Sequence, residues 1–139
     1  MKIMLLIMAG LTLAYAEIQR DNVTGIVTDS ATGLQWQDDK VNNQMPWKTA
    51  IEYCEALELG GFDDWRLPNL NALKSIVDRS KFTPAIVSGF DFTASQEYWS
   101  STTNAHFPNN GWIVIFEDGY VDISNKSNYQ YVRCVRGGW

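Results

Sequence analysis

The sequence is poor in the residues on which most catalytic and nucleic-acid-binding sites depend. It has one histidine, two cysteines, and 11 lysines and arginines against 16 aspartates and glutamates. The net charge of −5 argues against a nucleic acid or an anionic membrane as partner, because both require a basic face. A catalytic triad would depend on His106 alone, and neither Ser100 nor Ser101 lies in a nucleophile-elbow motif. We therefore predict that the protein is not an enzyme.

Long apolar runs are missing beyond the first residues. Lys2 precedes an apolar run at residues 3–13, and Ala14-Tyr15-Ala16 follows it. This order of charge, apolar length and small residues is typical of a secretory signal peptide. We predict a signal peptide at residues 1–16 and a single exported domain at residues 17–139, in the periplasm or outside the cell. No later stretch reaches the ~20 apolar residues that a membrane span needs.

The two cysteines are Cys54 and Cys134. An even number of cysteines in an exported chain favours a disulfide. Here it would connect a helix to the last strand. The alternative is a redox or metal-binding pair, but neither CxxC spacing nor a nearby histidine supports it.

Two sets of residues offer oxygen ligands for calcium, and both have simpler explanations. The sets are Glu117, Asp118 and Asp122, and Asp63 and Asp64 with Asn69. The spacing matches no EF-hand loop, and the Glu-Pro-Asn and Trp-Asn-Asp tripeptides of calcium-dependent sugar-binding lectins are absent. Turn capping and surface solvation explain these residues. We predict no metal and no cofactor.

The spacing of apolar residues predicts two helices. From Pro46 to Leu59 they recur at intervals of three and four, and glutamates occupy the other side. A second helix is predicted from Leu70 to about Asp78, with Asn69 as its N-cap.

For residues 60–69, between the two helices, the sequence predicts a turn at the glycines followed by an extended segment. Trp65 and Leu67 share one face of it, and Arg66 points the other way. Arg66 is predicted to form a structural ion pair with Asp63, Asp64 or a partner elsewhere, and a ligand contact is the alternative. The two glycines are predicted to supply the positive backbone angles that end the first helix.

Alternating residues and turn signals predict the strands. The predicted strands are 17–28, 34–37 with Leu34 and Trp36 facing inward, 98–102, 111–116, 120–124 and 129–136, with turns at 117–119 and 125–128. Residues 38–44, 79–91 and 103–111 are predicted loops. Helices first and hairpins last give an α+β fold, with two helices packed on a small twisted antiparallel sheet.

Six blocks of the sequence, in order, resemble the Lcl C-terminal domain family. They are Thr32 to Gln37; Trp47 with Ala50 and Cys54; Gly60 to Asn69; Tyr98 to Thr102; Trp112 with Val114, Phe116 and Gly119; and Val132 to Arg136. Through its WRLP-type and terminal RCV-type segments this family is similar to C-type-lectin-like and formylglycine-generating-enzyme-like folds. The resemblance implies a C-type-lectin-like domain with bonded cysteines. The best-understood members look like adhesins that bind sulfated glycans, in one case as trimers.

The sequence departs from this family pattern in three respects. Ala72 stands where members commonly have a glutamate three residues after the Asn69-like cap, so the reciprocal capping contact is missing. The chain has no run of basic residues to meet sulfate groups. It also has no collagen-like repeat, so a homo-oligomer, a trimer by this resemblance, would form through the domain itself.

We predict an adhesin-like, non-catalytic recognition module whose ligand is an extracellular glycan or protein. The alternative is an envelope structural or assembly domain without a small ligand. Asparagine and aromatic side chains can bind hydroxyl groups and stack on sugar rings without positive charge, and such residues lie in the polar loop at 103–111. The candidate residues are Asn104, His106, Phe107, Asn109 and Asn110, with Tyr120 and Tyr129 nearby.

Overall fold

The computed structural model of the protein describes residues 17–138, so the predicted signal peptide at 1–16 lies outside the described residues. The elements in chain order are β1 (Ile18–Asp21), β2 (Ile26–Asp29), β3 (Leu34–Gln37), α1 (Trp47–Ala56), α2 (Leu70–Lys74), β4 (Glu97–Thr103), β5 (Asn110–Ile115), β6 (Tyr120–Asn125) and β7 (Val135–Gly137). No helix among the described residues is long and apolar enough to cross a membrane.

The strands form two antiparallel sheets, in the orders β1-β2-β3-β7 and β4-β5-β6. The α+β class is confirmed, but two sheets are present where the sequence suggested one. The reason is the pairing of β7. Val135 lies opposite Trp36 of β3, so the end of the chain returns to the first strands instead of extending the sheet of β4 to β6.

The predicted strand at 17–28 is wrong, because it is the hairpin of β1 and β2. Gly25 turns the chain with a φ of +73°. The Gly25 amide donates to the carbonyl of Asp21 at 2.8 Å, and the Asp21 side chain accepts the amides of Val23 and Thr24. The side chain of one aspartate thus stabilises a turn that a strand pattern does not show.

Helix α1 is shorter than predicted, and the glycines after it do not end it. Pro46 is the N-cap in extended geometry, not the first helical residue. Gly60 and Gly61 have φ angles of +63° and +82°. Leu59 and Phe62 exchange two backbone hydrogen bonds of 3.0 Å across them. The glycines therefore form a two-residue hairpin turn, which requires positive φ at both positions.

Helix α2 begins as predicted and ends early. The side chain of Asn69 accepts the amide of Ala72 at 2.8 Å, which confirms Asn69 as N-cap. The helix ends at Lys74 because the following backbone pairs with another segment. The Ile76 carbonyl accepts the amide of Val87 at 3.0 Å.

The hairpin strands β4, β5 and β6 agree with prediction to within one residue at each end. The predicted strand at 129–136 is wrong except at its end. Gln130 bridges to Met45 and Tyr131 bridges to Tyr98. Successive residues of this segment pair with different parts of the chain, so no continuous strand forms before β7.

Two apolar clusters lie on opposite faces of the strands, since neighbouring residues such as Tyr98 and Trp99 point to opposite sides. The inward positions of the strand at 34–37, Leu34 and Trp36, are confirmed as buried. Cys54 of α1 and Cys134, next to β7, form the predicted disulfide, with a Cα–Cα distance of 5.4 Å.

Candidate functional site

A buried ion cluster, formed by Asp38, Arg20 and Arg133, holds the first sheet and a later loop together. The Asp38 Oδ2 atom accepts from Arg20 Nε at 2.7 Å and from the amide of Asp91 at 2.8 Å. Its Oδ1 atom accepts from Arg133 Nη1 and from the amide of Phe92, both at 3.0 Å. Asp38 is fully buried, so a residue predicted in a polar loop is part of the scaffold.

A second polar network fastens α1 to β3. Gln37 donates to the hydroxyl of Tyr53 at 3.0 Å, this hydroxyl donates to Asn42 at 2.9 Å, and Asn42 donates back to Gln37 at 3.0 Å. The three side chains form a closed ring of hydrogen bonds. Because Gln37 and Asn42 are buried, the ring holds α1 against β3 and the loop that follows it.

A groove of about 380 Å³, which we call the amide groove, lies between the first sheet and the turn at Gly60 and Phe62. Gln19 lies opposite Thr28 in the sheet, and Thr28 lies opposite Gln35. Residues directly opposite each other share a face of the sheet, so these polar side chains form one row. The groove is lined by Gln19, Arg20, Asp21, Thr24, Ile26, Thr28, Gln35, Gly60 and Phe62.

The ring of Phe62 is held in place at the wall of this groove. The guanidinium carbon of Arg136 lies 3.6 Å from the ring centroid. Arg136 in turn donates to both carboxylate oxygens of Asp64, at 2.6 Å and 3.0 Å, and to the side-chain oxygen of Gln35. The hydrogen bond from Arg136 is the main reason that the pKa of Asp64 is below its ordinary value. The aromatic wall is therefore supported by a charged pair.

Side chains that line the amide groove offer hydrogen-bond acceptors. The amides of Val23 and Thr24 donate to the carboxylate of Asp21 and lower its pKa, because they favour its ionised form. Gln19 donates to the carboxylate of Glu17 at 3.0 Å. Among residues 17–138, no donor contacts the side-chain oxygen of Gln19. Hydroxyl groups are suitable donors for these oxygens.

The loop that the sequence singled out is shaped by Asn104. Asn104 is buried, and its side-chain oxygen accepts the amides of His106 and Phe107 at 3.0 Å and 2.9 Å. His106 is exposed, and the phenylalanine is 60% exposed. The carbonyl of Asn109 accepts the amide of Lys126 at 2.8 Å. We call this outer surface of residues 104–110 the loop surface; the buried Asn104 supports it from below.

Tyr120 and Tyr129, the two tyrosines predicted near this loop, lie beside opposite ends of β5. Asn110 pairs with Asn125, so the turn that precedes Tyr129 is at the end of the loop surface. Tyr120 pairs with Ile115, five residues further along the strand. That separation is about 17 Å. The structure therefore does not bring Tyr120 together with the loop.

Other candidates from the sequence occupy structural positions. Ser100 is fully buried and donates to the carbonyl of Trp112 at 2.8 Å. The side chain of Arg66 donates to the carbonyl of Gly137 at 2.9 Å. Asp64, one of the partners predicted for it, forms an ion pair of 2.6 Å with Arg136.

The candidate calcium ligands also have structural contacts. Asp118 accepts the amide of Tyr120 at 3.1 Å, and Asp122 accepts the amide of Ile123 at 2.8 Å. Within residues 17–138, no group of three or more histidine, cysteine, aspartate or glutamate side chains is placed to hold a metal ion.

Sequence reasoning missed the amide groove. The sequence signal for it was a series of polar residues on neighbouring strands: Gln19, Thr28, Gln35 and Arg136. These residues lie opposite one another in the sheet, but this can be recognised only when the register of the strands is known.

Comparison with protein families matches residues 25–136 to the Lcl C-terminal domain. The matched range includes both helices, both cysteines and the strands from β2 to β6. No curated protein gives a significant match. The match covers most of the 139 residues, and the chain belongs to the Lcl C-terminal domain family.

Proposed function

We propose that this protein is an exported, non-catalytic recognition module that binds a hydroxyl-rich ligand, a glycan, in the amide groove. The observation that carries the proposal is the placement of the supported Phe62 ring beside a row of polar side chains. Aromatic rings stack on the apolar faces of sugars, and amide and carboxylate oxygens accept sugar hydroxyls. A groove of this volume falls within the usual range of small-ligand sites.

The rigidity of the scaffold supports binding as its task. The disulfide, the buried ion cluster and the Gln37 ring of hydrogen bonds all fix the elements around the groove. A site that is organised before binding loses less conformational entropy when a ligand enters. Export is supported by the disulfide, since such bonds persist in oxidising compartments. The buried hydroxyl of Ser100 supports a role without catalysis.

The C-type-lectin-like architecture implied by the family is part of this proposal. Two features support it: the disulfide from α1 to Cys134, and the backbone pairing of Arg66 with Val135, which joins the WRLP-type segment to the closing strand. A homo-oligomer is also part of the proposal, and light scattering of the exported protein measures its size.

A glycan array tests the proposal. Wild type, Phe62→Ala and Gln19→Ala are compared, each with calcium and then with chelator. Loss of the aromatic wall should weaken retention roughly five- to tenfold, as expected for about 1 kcal/mol of aromatic contact. Phe82→Ala is the matched control, because Phe82 is 70% exposed and is not among the groove residues.

The loop surface is the alternative contact, and the same array separates the two. Phe107→Ala and His106→Ala should leave retention unchanged if the groove binds the ligand. Retention that depends on Phe107 and not on Phe62 would move the site to the loop. A folded wild type that retains no glycan would favour the envelope assembly domain.

A further inference from the structure

A second cavity lies at the far end of the β5–β6 hairpin, away from the loop surface. Its volume is about 400 Å³, and it is lined by Lys74, Val77, Arg79, Gly119 and Val121. Two valines give it an apolar wall, and two cations lie at its border. We call it the Arg79 cavity. No residue lines both this cavity and the amide groove.

Arg79 differs from the other arginines of the described chain in its contacts. Three of those arginines pair with carboxylates, and a fourth donates to a backbone carbonyl. The guanidinium of Arg79 instead lies 3.9 Å from the ring centroid of Tyr120. Within residues 17–138 no acceptor contacts its N–H groups. The tyrosine fixes the plane of the cation and leaves its donors available.

Lys74 also lines this cavity. It is exposed, and no carboxylate among residues 17–138 pairs with it. Among residues 17–138, the carboxylates of the neighbouring turn form no ion pair with either cation, and that of Asp118 accepts the amide of Tyr120. Two cations without an ion pair that line the same cavity attract an anion to it.

Gly119 keeps this arrangement open. Its φ is +89°, and a Cβ atom there would lie 2.7 Å from Val77 Cγ1 and 3.1 Å from Arg79 Cγ. Any larger residue would displace the arginine side chain or the valine beside it. The turn, the apolar wall and the oriented guanidinium therefore depend on one another.

We propose that the Arg79 cavity binds a carboxylate attached to an apolar body. A planar carboxylate accepts two parallel hydrogen bonds from a guanidinium. The ammonium of Lys74 supplies a second positive charge, and the apolar body packs on Val77 and Val121. The volume admits a ligand of the size of a capped amino acid. Such a group occurs in small organic acids and at the carboxyl terminus of a peptide.

Titration of the labelled full-length protein by amide NMR tests the proposal with N-acetyl-phenylalanine and its amide. The acid should shift the Gly119 and Val121 amides saturably, and the uncharged amide should bind about tenfold more weakly, as for loss of one charged contact. Arg79→Gln should weaken acid binding by about the same factor. Lys48→Gln, an exposed lysine of α1, is the matched control and should bind as wild type does.

Two further comparisons identify the source of the carboxylate and the chemical group that the cavity prefers. A tripeptide ending in phenylalanine is compared with its carboxyamide. Tighter binding of the free tripeptide than of the capped amino acid assigns a peptide terminus, and equal or weaker binding assigns a small acid. Equal affinity for acid and amide, unchanged binding by Arg79→Gln, or tighter binding of phenyl phosphate would each overturn the proposal. None of these outcomes bears on glycan retention by the amide groove, which lies on the other sheet.

Discussion

Asp38 and Arg133 are 95 residues apart in the sequence and form an ion pair of 3.0 Å inside the domain. Their side chains are 0% and 3% exposed. Removing one partner of such a pair leaves an uncompensated charge in the interior. The pair therefore makes the first sheet region of the chain and the segment before β7 depend on each other.

Asp38→Asn should lower the free energy of unfolding by about 3–5 kcal/mol, because Arg133 would lose its buried counter-charge. Urea unfolding followed by tryptophan fluorescence measures this change. Lys81→Gln is the control, since its pair with Asp78 is partly exposed and should contribute no more than about 1 kcal/mol. Equal effects of the two substitutions would contradict the structural role given to Asp38.

Replacing Cys54 and Cys134 together by alanine should lower stability by about 4 kcal/mol, the chain-entropy value for a bond that closes a long loop. The two residues are 80 positions apart. Wild type in reducing buffer should approach the stability of the double variant. Alkylation of either cysteine in the folded, unreduced protein would show that the bond is not formed.

Asn104→Ala should cost about 1 kcal/mol, because two amides of the loop would lose their acceptor. His106→Ala should change stability by less than about 0.5 kcal/mol, as expected for an exposed side chain. Thermal unfolding of both variants gives the comparison. If the two losses are equal, the side chain of Asn104 does not organise the loop.

The Asp64–Arg136 pair should make stability depend on pH in the acidic range. The pKa of Asp64 is lowered in the folded protein, mainly by the hydrogen bond from Arg136. Its contribution is therefore complete above the ordinary aspartate pKa of about 3.9, and is lost as the pH falls through the lower, folded value. Asp64→Asn should flatten the dependence of the urea midpoint on pH below about 4.

Arg136→Gln provides the partner arm of this experiment. It should flatten the pH dependence as Asp64→Asn does, and the double variant should add little to either single change, because both remove the same contact. Additive effects of the two substitutions would show that Asp64 and Arg136 act through different neighbours.

The features that were predicted correctly from the sequence are those that depend on contacts between residues close together in the chain. The apolar spacing of α1, the cap at Asn69 and the turn around Gly119 each depend on residues a few positions apart. The disulfide was predicted because a chain with two cysteines offers only one pairing within itself. These features needed no knowledge of the sheet.

The rest depended on pairing between distant segments, which periodicity does not reveal. The side of the chain that Gln37 and Asp38 face is set by contacts with Cys134 and Arg133. For this reason Asp38, a charged residue that follows a strand, was predicted to lie in a surface loop. The amide groove was missed for the same reason, since its wall at Phe62 is fixed by Arg136, near the end of the described chain.

Strand β7 has neighbours on both sides. The backbone of Val135 exchanges two hydrogen bonds of 2.8 Å with Arg66, and its other edge pairs with β3. A nascent polypeptide, which emerges with its amino end first, cannot form the pairing of β7 with Arg66 and β3 until residues 135–137 have appeared. Residues 135–137 therefore close the fold, and their removal would leave β3 and the segment at Arg66 with unpaired backbone edges that are open to proteolysis and aggregation.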